Sequence, residues 1–283
     1  MREPGEARVL TTPDERHAVL LVDDNAINQE VAASMLAELG CEVALAGNGR
    51  IAVELSGRSR YDVIFMDCQM PEMDGFDATK AIRAREASEN AGRKTPIIAL
   101  TANAVVGDRE RCIAAGMDDY IPKPMSPEQL EEVLARWVPA AGGFPGPAPA
   151  GEPARAPRAE GPVDWTMVSD LVALTPPDFI AELMGLFFRD SATALTDLRI
   201  AWREDDLASW SQIAHKLRGS CATLGARAMM ETCAEMENLD EASMMESGER
   251  LLEELEREFH VARDLLSEQA RPQPAAAPKP AKG

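Results

Sequence analysis

The sequence predicts two domains of different class: an α/β doubly wound five-stranded parallel sheet, followed by an all-α four-helix bundle. Three observations carry this. The chain has 283 residues, which at roughly 150 per domain suits two cores. Short apolar runs alternate with amphipathic segments up to residue 138, whereas after residue 163 only helical spacing is found. Between them lies a stretch with seven prolines and almost no large apolar side chain.

The apolar runs are 19–22 (VLLV), 42–46 (EVALA), 62–66 (DVIFM), 96–100 (PIIAL) and 119–121 (DYI). The first, third and fourth are too uniformly apolar for a half-exposed antiparallel sheet and read as parallel strands covered on both faces. Helical spacing fills 26–39, 49–57, 74–90, 106–115 and 126–138. Gly40 and Gly116 suit the left-handed position just past a helix end. Ser126-Pro127-Glu128-Gln129 reads as a capping box with proline at the first helical position. Five βα units in about 120 residues make one doubly wound domain over 17–138.

Residues 139–163 cannot bury enough surface to offset their ordering entropy and read as an extended linker. The charged segment 1–16 reads as a disordered leader, and the proline-rich 269–283 as a disordered tail. Between linker and tail, Ile180, Leu183, Phe187, Leu195, Leu198 and Trp202 form one helical stripe. Leu207, Trp210, Ala214, Leu217, Cys221 and Leu224 form a second; Met229, Cys233 and Met236 a third; Leu252, Leu255, Phe259, Ala262 and Leu266 a fourth. The bundle is expected over 164–268, with a short leading helix at 165–175.

Composition narrows the function classes. With 48 acidic and 29 basic residues the formal charge is −19, a field that repels phosphate backbones and anionic lipid, so no nucleic-acid partner is expected. The N-terminus lacks the apolar core of a signal peptide, and no window reaches the ~18 apolar residues of a membrane span. A soluble cytoplasmic protein without membrane insertion is expected. Its five cysteines, an odd number with no close C-x-x-C pair, are read as reduced core residues.

Ligands of doubly wound sheets sit at the carboxyl ends of the strands. There this chain ends the first strand in Asp23 and Asp24, the third in Asp67 and the fourth in Thr101, and Lys123 follows the fifth. With the strand order 2-1-3-4-5 the three acids crowd one small volume, and their mutual repulsion calls for a cation. Hard carboxylate oxygens with room for water favour Mg²⁺, which completes its shell with water and phosphate.

The strings L-L-V-D-D-N (20–25), M-D-C-Q-M-P-E-M-D-G (66–75), A-L-T-A-N-A (99–104) and Y-I-P-K-P (120–124) closely resemble the response-regulator receiver family, in its order and spacing. The resemblance implies a flavodoxin-like fold and Asp67 as phosphoacceptor from a phosphohistidine. It implies Asp24, Asp67 and the backbone carbonyl of Gln69 as Mg²⁺ ligands, with Asp23 acting directly or through water. Lys123 and Thr101 would hold phosphoryl oxygens, and Tyr120 occupies the family's aromatic switch position. Cys68 is expected to pack on the opposite face of its strand.

Three histidines are present, His17, His215 and His260. His17 and His260 read as surface residues. His215 stands off the core stripe, with Ser211, Gln212, Arg218 and Gly219 at i±3 and i±4, and reads as an exposed imidazole. Glycine inside a helix costs about 1 kcal/mol relative to alanine, and Gly219 clears room for another protein's backbone. A-H-K-L-R-G-S at 214–220, followed by A-T-L-G-A at 222–226, resembles the phosphoacceptor motif of the histidine phosphotransfer (HPt) family, with Arg218 where lysine is common. The resemblance implies His215 as a second phosphoacceptor, and Arg218 is placed to steady its phosphoryl group.

Together these imply a phosphorelay protein with an upstream histidine kinase and a downstream or shared receiver as partners, and no ATP-binding kinase domain of its own. The Met1 start and charged leader read as those of a complete chain; the alternative is the C-terminal piece of a hybrid histidine kinase. An Mg²⁺-dependent phosphatase with an aspartyl intermediate is disfavoured, because D-x-D would be expected after the first strand.

Overall fold

The structure, a computed structural model, describes residues 17–88, 94–101, 108–138, 161–174 and 177–269. The leader, the linker up to residue 160 and the tail from residue 270 lie outside them. Two compact units are present.

The α/β unit runs β1 (His17–Val22), α1 (Ala26–Glu38), β2 (Cys41–Ala46), α2 (Gly49–Arg58), β3 (Val63–Asp67), α3 (Gly75–Ser88), β4 (Ile97–Thr101), α4 (Asp108–Ala115), β5 (Asp119–Pro122) and α5 (Pro127–Trp137). The sheet order is β2-β1-β3-β4-β5, with β1 parallel to β2 and β3, and β3 parallel to β4. Leu20 is opposite Ile64, which is opposite Ile97 in turn. The inner strands β3 and β4 are buried at every position, whereas β2, at the edge, keeps both ends buried and exposes residues between them. Full burial of each large apolar side chain stabilises by roughly 1.5–3 kcal/mol, so the uniformly apolar runs occupy the middle of the sheet.

Helix ends follow local chemistry. Asn48 Oδ1 accepts from the Ile51 N–H at 2.9 Å, and Ser126 with Gln129 forms the expected reciprocal box around α5. Gly40 and Gly116 both have positive φ, +81° and +101°. Cys68 faces inward, its Sγ 3.9 Å from that of Cys112, and the five cysteines are all buried thiols.

The helical unit contains α6 (Trp165–Leu174), α7 (Pro177–Arg203), α8 (Leu207–Thr223), α9 (Arg227–Glu237) and α10 (Glu241–Gln269). Helix α8 packs on α7 and α9, and α10 closes the ring against the same two. The expected stripes are buried at Phe187, Leu198, Trp210, Leu217, Met229, Met236, Leu255 and Leu266. Leu195, Trp202 and Leu207 are only partly covered.

Two boundaries need correction. Residues 161–163, assigned to the linker by composition, belong to this unit. Val163 is buried, the Gly161 carbonyl accepts from the Arg227 guanidinium, and the Pro162 carbonyl accepts from the Ala228 N–H at 3.1 Å. Polar backbone groups held by α9 offset the scarcity of large side chains. Gln269, assigned to the tail, is the last residue of α10. Among the described residues no helix is long and apolar enough to cross a membrane.

Candidate functional site

Asp67 is the last residue of β3 and Thr101 the last of β4, as expected from the sequence, because backbone pairing continues through them. The Cys68 N–H still donates to the Leu100 carbonyl, and the Asp23 N–H to that of Ala46. Pairing therefore carries each polar side chain to the carboxyl edge of the sheet at a set height. There Asp23, Asp24 and Asp67 converge, each offering a carboxylate oxygen within 4.8 Å of the others. Asp23 is 1% and Asp67 4% exposed, so two of the three charges are shielded from water and their repulsion is poorly screened.

The chain leaving Asp67 is fastened. Gln69 donates its backbone N–H to Asp67 Oδ1 at 3.2 Å. The Gly49 N–H donates to the Met73 carbonyl, and the Gly75 N–H to that of Cys68. A Cβ on Gly75 would stand 2.0 Å from the Asp67 carbonyl oxygen, so only glycine lets α3 start that close to the end of β3. Asp74 Oδ1 then caps α3 by accepting from the Asp77 N–H at 2.8 Å.

Thr101 is buried, and its Oγ1 has no hydrogen-bond partner among the described residues. A buried orphan hydroxyl is uncommon and signals a missing ligand or water. Lys123 follows β5 at the same edge of the sheet, and Tyr120 packs partly buried on the core cluster that includes Cys112 and Met117.

His215 lies on α8, on a separate unit. Its side chain is 22% exposed, and a carboxylate from the neighbouring helix lies against it. His215 Nδ1 is 2.6 Å from Oε1 of Glu237, at the end of α9. Arg218 completes the group: its Nε is 3.0 Å from Glu237 Oε2, a charge contact in which the N–H is not aimed at the oxygen. One Arg218 terminal nitrogen is 3.4 Å from His215 Nδ1. Burial pushes the Glu237 carboxyl up, but the hydrogen bond and charge of His215 and the charge of Arg218 outweigh it and hold the group below its ordinary value.

Sequence reasoning missed Glu237. It lies 22 residues from His215, and no local spacing marks it; only the pairing of α8 with α9 brings the two together. The remaining histidines are set apart from this cluster. His260 is exposed on α10, and His17 lies 4.0 Å from Asp62, before the core of β1.

Family comparison agrees with this geometry. Residues 19–135 match the response regulator receiver domain and residues 182–265 the Hpt domain. The sensor protein GacS of Pseudomonas syringae pv. syringae is 32% identical over 222 residues, covering 78% of this chain and 24% of that protein. A hybrid signal transduction histidine kinase of Dictyostelium discoideum, kinase L, is 43% identical over 122 residues, 42% of this chain and 7% of its own. The chain thus spans about a quarter or less of the length of these curated relatives. Among solved structures, the receiver domain of a sensor histidine kinase from Pseudomonas aeruginosa PAO1, described with magnesium coordinated in its active site cleft, is 50% identical. It covers 44% of this chain and 98% of its own, with a TM-score of 0.40. A Saccharomyces cerevisiae complex of a histidine phosphotransfer protein with the receiver domain of its downstream regulator matches at 33% identity, 43% of this chain and 88% of that one, TM-score 0.40. The chain therefore carries a response regulator receiver domain followed, in the same polypeptide, by an Hpt domain.

Proposed function

We propose that the chain passes a phosphoryl group through two acceptors, Asp67 in a receiver domain over 17–138 and His215 in an HPt domain over 161–269. The observation that carries this reading is the acidic edge of the sheet, where three carboxylates converge beside a buried hydroxyl that has no hydrogen-bond partner among the described residues. A divalent cation, with the Lys123 ammonium, offsets the charge of these carboxylates and of an incoming phosphoryl group.

The donor set fits Mg²⁺: carboxylate oxygens of Asp23, Asp24 and Asp67, with the Gln69 carbonyl next along the chain. When bound, the metal supplies charge neutralisation for a transferring phosphoryl group. In the transfer itself an Asp67 carboxylate oxygen attacks phosphorus in line. The O–P bond forms, the P–N bond to the donor imidazole breaks, and the electron pair leaves on that ring. Thr101 Oγ1 donates a hydrogen bond to one phosphoryl oxygen and Lys123 supplies a positive charge to another. Tyr120 follows Thr101 as a side chain whose burial reports the state of the site.

His215 exchanges a phosphoryl group with an aspartate of this or another receiver. Arg218 has five N–H donors, and Glu237 engages only part of its guanidinium, which leaves donors for the phosphoryl oxygens. On this reading the ATP-driven step belongs to an upstream histidine kinase, the partners are that kinase and a response-regulator receiver, and the setting is cytoplasmic. The chain binds no nucleic acid and acts as a phosphotransfer protein rather than a turnover enzyme.

Incubation of the chain with a phosphorylated histidine kinase tests this. Two adducts are expected: an acyl phosphate labile to base and hydroxylamine, and a phosphoramidate labile to acid and stable to base. A single adduct of either kind overturns the two-acceptor reading.

A further inference from the structure

We propose that Cys68 and Cys112 form a redox-sensitive thiol pair, which hydrogen peroxide converts to a disulfide that ties the end of β3 to α4 one residue past Asp67. The cross-link stands on its own observations; its effect on phosphoryl uptake rests on the proposed role of Asp67.

The two sulfurs lie 3.9 Å from one another, although 44 positions separate them along the chain. A disulfide holds its sulfurs at about 2.05 Å, so closing the gap takes about 2 Å of travel. The main chain at Cys68 is pinned: its N–H donates to the Leu100 carbonyl on β4, and its carbonyl accepts from the Gly75 N–H at the start of α3, both at 3.2 Å. Travel that side-chain rotation does not supply therefore falls to α4. There the Cys112 carbonyl accepts from the Met117 N–H at 3.0 Å, and Asp118 donates its N–H to the Ile97 carbonyl at 2.8 Å. A displaced α4 thus pulls on the segment that leads into β5 and Lys123, while the pull on Cys68 reaches the adjoining Asp67.

The other cysteines are set differently. Cys221 and Cys233 share a side-chain hydrogen bond between α8 and α9, but both are 0% exposed, and burial pushes the Cys221 thiol well above its ordinary value. The Cys41 thiol is pushed up to about 11, by burial first and then by the charge of Asp62. The thiolate is the nucleophile, so these surroundings disfavour reaction. Cys68 is 7% exposed at the carboxyl end of β3, with Cys112, 1% exposed, behind it. One sulfur is within reach of a small oxidant and is backed by a second that can resolve it.

The chemistry balances. The Cys68 thiolate attacks one peroxide oxygen, the S–O bond forms, the O–O bond breaks and the second oxygen leaves as water, giving a sulfenic acid on Cys68. The Cys112 thiolate then attacks the Cys68 sulfur, the S–S bond forms, the S–O bond breaks and a second water leaves. Two thiols lose two electrons and two protons, and one peroxide becomes two waters. A thiol reductant reverses the step, and in a reducing compartment such a disulfide is transient, as suits a sensor.

The test treats the full chain with hydrogen peroxide, as wild type, Cys68→Ala and Cys112→Ala, and maps unreduced peptides by mass spectrometry. Wild type should yield one peptide pair joined through Cys68 and Cys112, lighter by two hydrogens and separated by dithiothreitol, while Cys221 and Cys233 stay reduced. Cys112→Ala should instead carry a sulfenic acid on Cys68 that dimedone traps. Phosphoryl transfer to Asp67 should be slower by about tenfold or more in the oxidised wild type, as for a displacement of about 1 Å at a reacting group. Dithiothreitol should restore the rate, and peroxide should not change the rate of Cys68→Ala. The wild-type peptide map decides the cross-link even where a variant does not fold. Absence of the joined pair, or its appearance only after Cys221 and Cys233 have oxidised, overturns the proposal. A cross-linked chain that accepts phosphoryl at the reduced chain's rate overturns the coupling to the site. Reduced wild type that takes no phosphoryl on Asp67 overturns the proposed function instead, and the peptide map still judges the cross-link.

Discussion

The two acceptor sites solve the problem of buried charge in opposite ways. At the sheet edge three acids converge, and two of them are almost completely shielded. On α8 the charges alternate: an imidazole, a carboxylate and a guanidinium within 3.5 Å contacts of one another. The first site gathers like charges at the end of a sheet; the second interleaves opposite ones between two helices. If the proposed Mg²⁺ site holds, dependence on the metal should belong to the sheet edge and not to α8.

The largest effects should come from the acceptors themselves. Asp67→Asn should abolish the base-labile adduct and His215→Gln the acid-labile one, each leaving the other attainable from a suitable phosphorylated donor. Base-labile label persisting in Asp67→Asn would falsify the assignment.

Metal binding sharpens the contrast next. Titration of Mg²⁺ into the chain should show affinity falling by roughly tenfold or more in Asp24→Ala, and no change in His215→Gln or Arg218→Ala. Equal losses on both sides would mean that the helical unit also relies on a divalent cation.

Stability separates the units a third way. Gly75→Ala forces a Cβ against the Asp67 carbonyl oxygen, and should destabilise the α/β unit by about 1–3 kcal/mol. In calorimetry its transition should fall in temperature while that of the helical unit stays in place. A shift of both together would contradict their separate cores.

The smallest expected effect lies on α10. Burial pushes the Glu258 carboxyl up, outweighing the hydrogen bond that Thr232 Oγ1 donates to it at 2.7 Å; Glu254 and Glu231 push the same way, and Arg257 opposes them. A raised folded pKa means that the folded state prefers the protonated acid, so stability declines as pH rises through the ordinary value and then the folded one. Glu258→Gln removes that decline. It should stabilise the helical unit at neutral pH by less than about 1 kcal/mol, since the group is half-exposed, with the gain vanishing below about pH 4. A gain that grows as pH falls would reverse the sign and exclude this cause.

Much of the molecule was legible in the amino-acid order. Runs such as VLLV and PIIAL are apolar without alternation, which only a strand covered on both faces tolerates, and they became β1 and β4. Ser126 and Gln129 carry their own helix start, because a capping box closes within four residues. The receiver and Hpt domains were legible for the same reason: the strings around Asp67 and His215 are complete over a few positions. The linker boundary was not, since residues 161–163 are held by bonds to α9 and by burial of Val163, both of which need the folded unit.

What the sequence determined by itself is therefore whatever acts over one turn or one strand: element type, caps, the polar residues at strand ends and the acceptor motifs. Tertiary structure alone decided that Thr101 Oγ1 is buried with no hydrogen-bond partner among the described residues, and that Glu237 meets His215; it also set the distances at which Asp23, Asp24 and Asp67 converge. The physical reason is range. Strand order and helix pairing bring together groups 22 to more than 40 positions apart, and Coulomb and hydrogen-bond energies depend on distance in space, to which separation along the chain gives no guide.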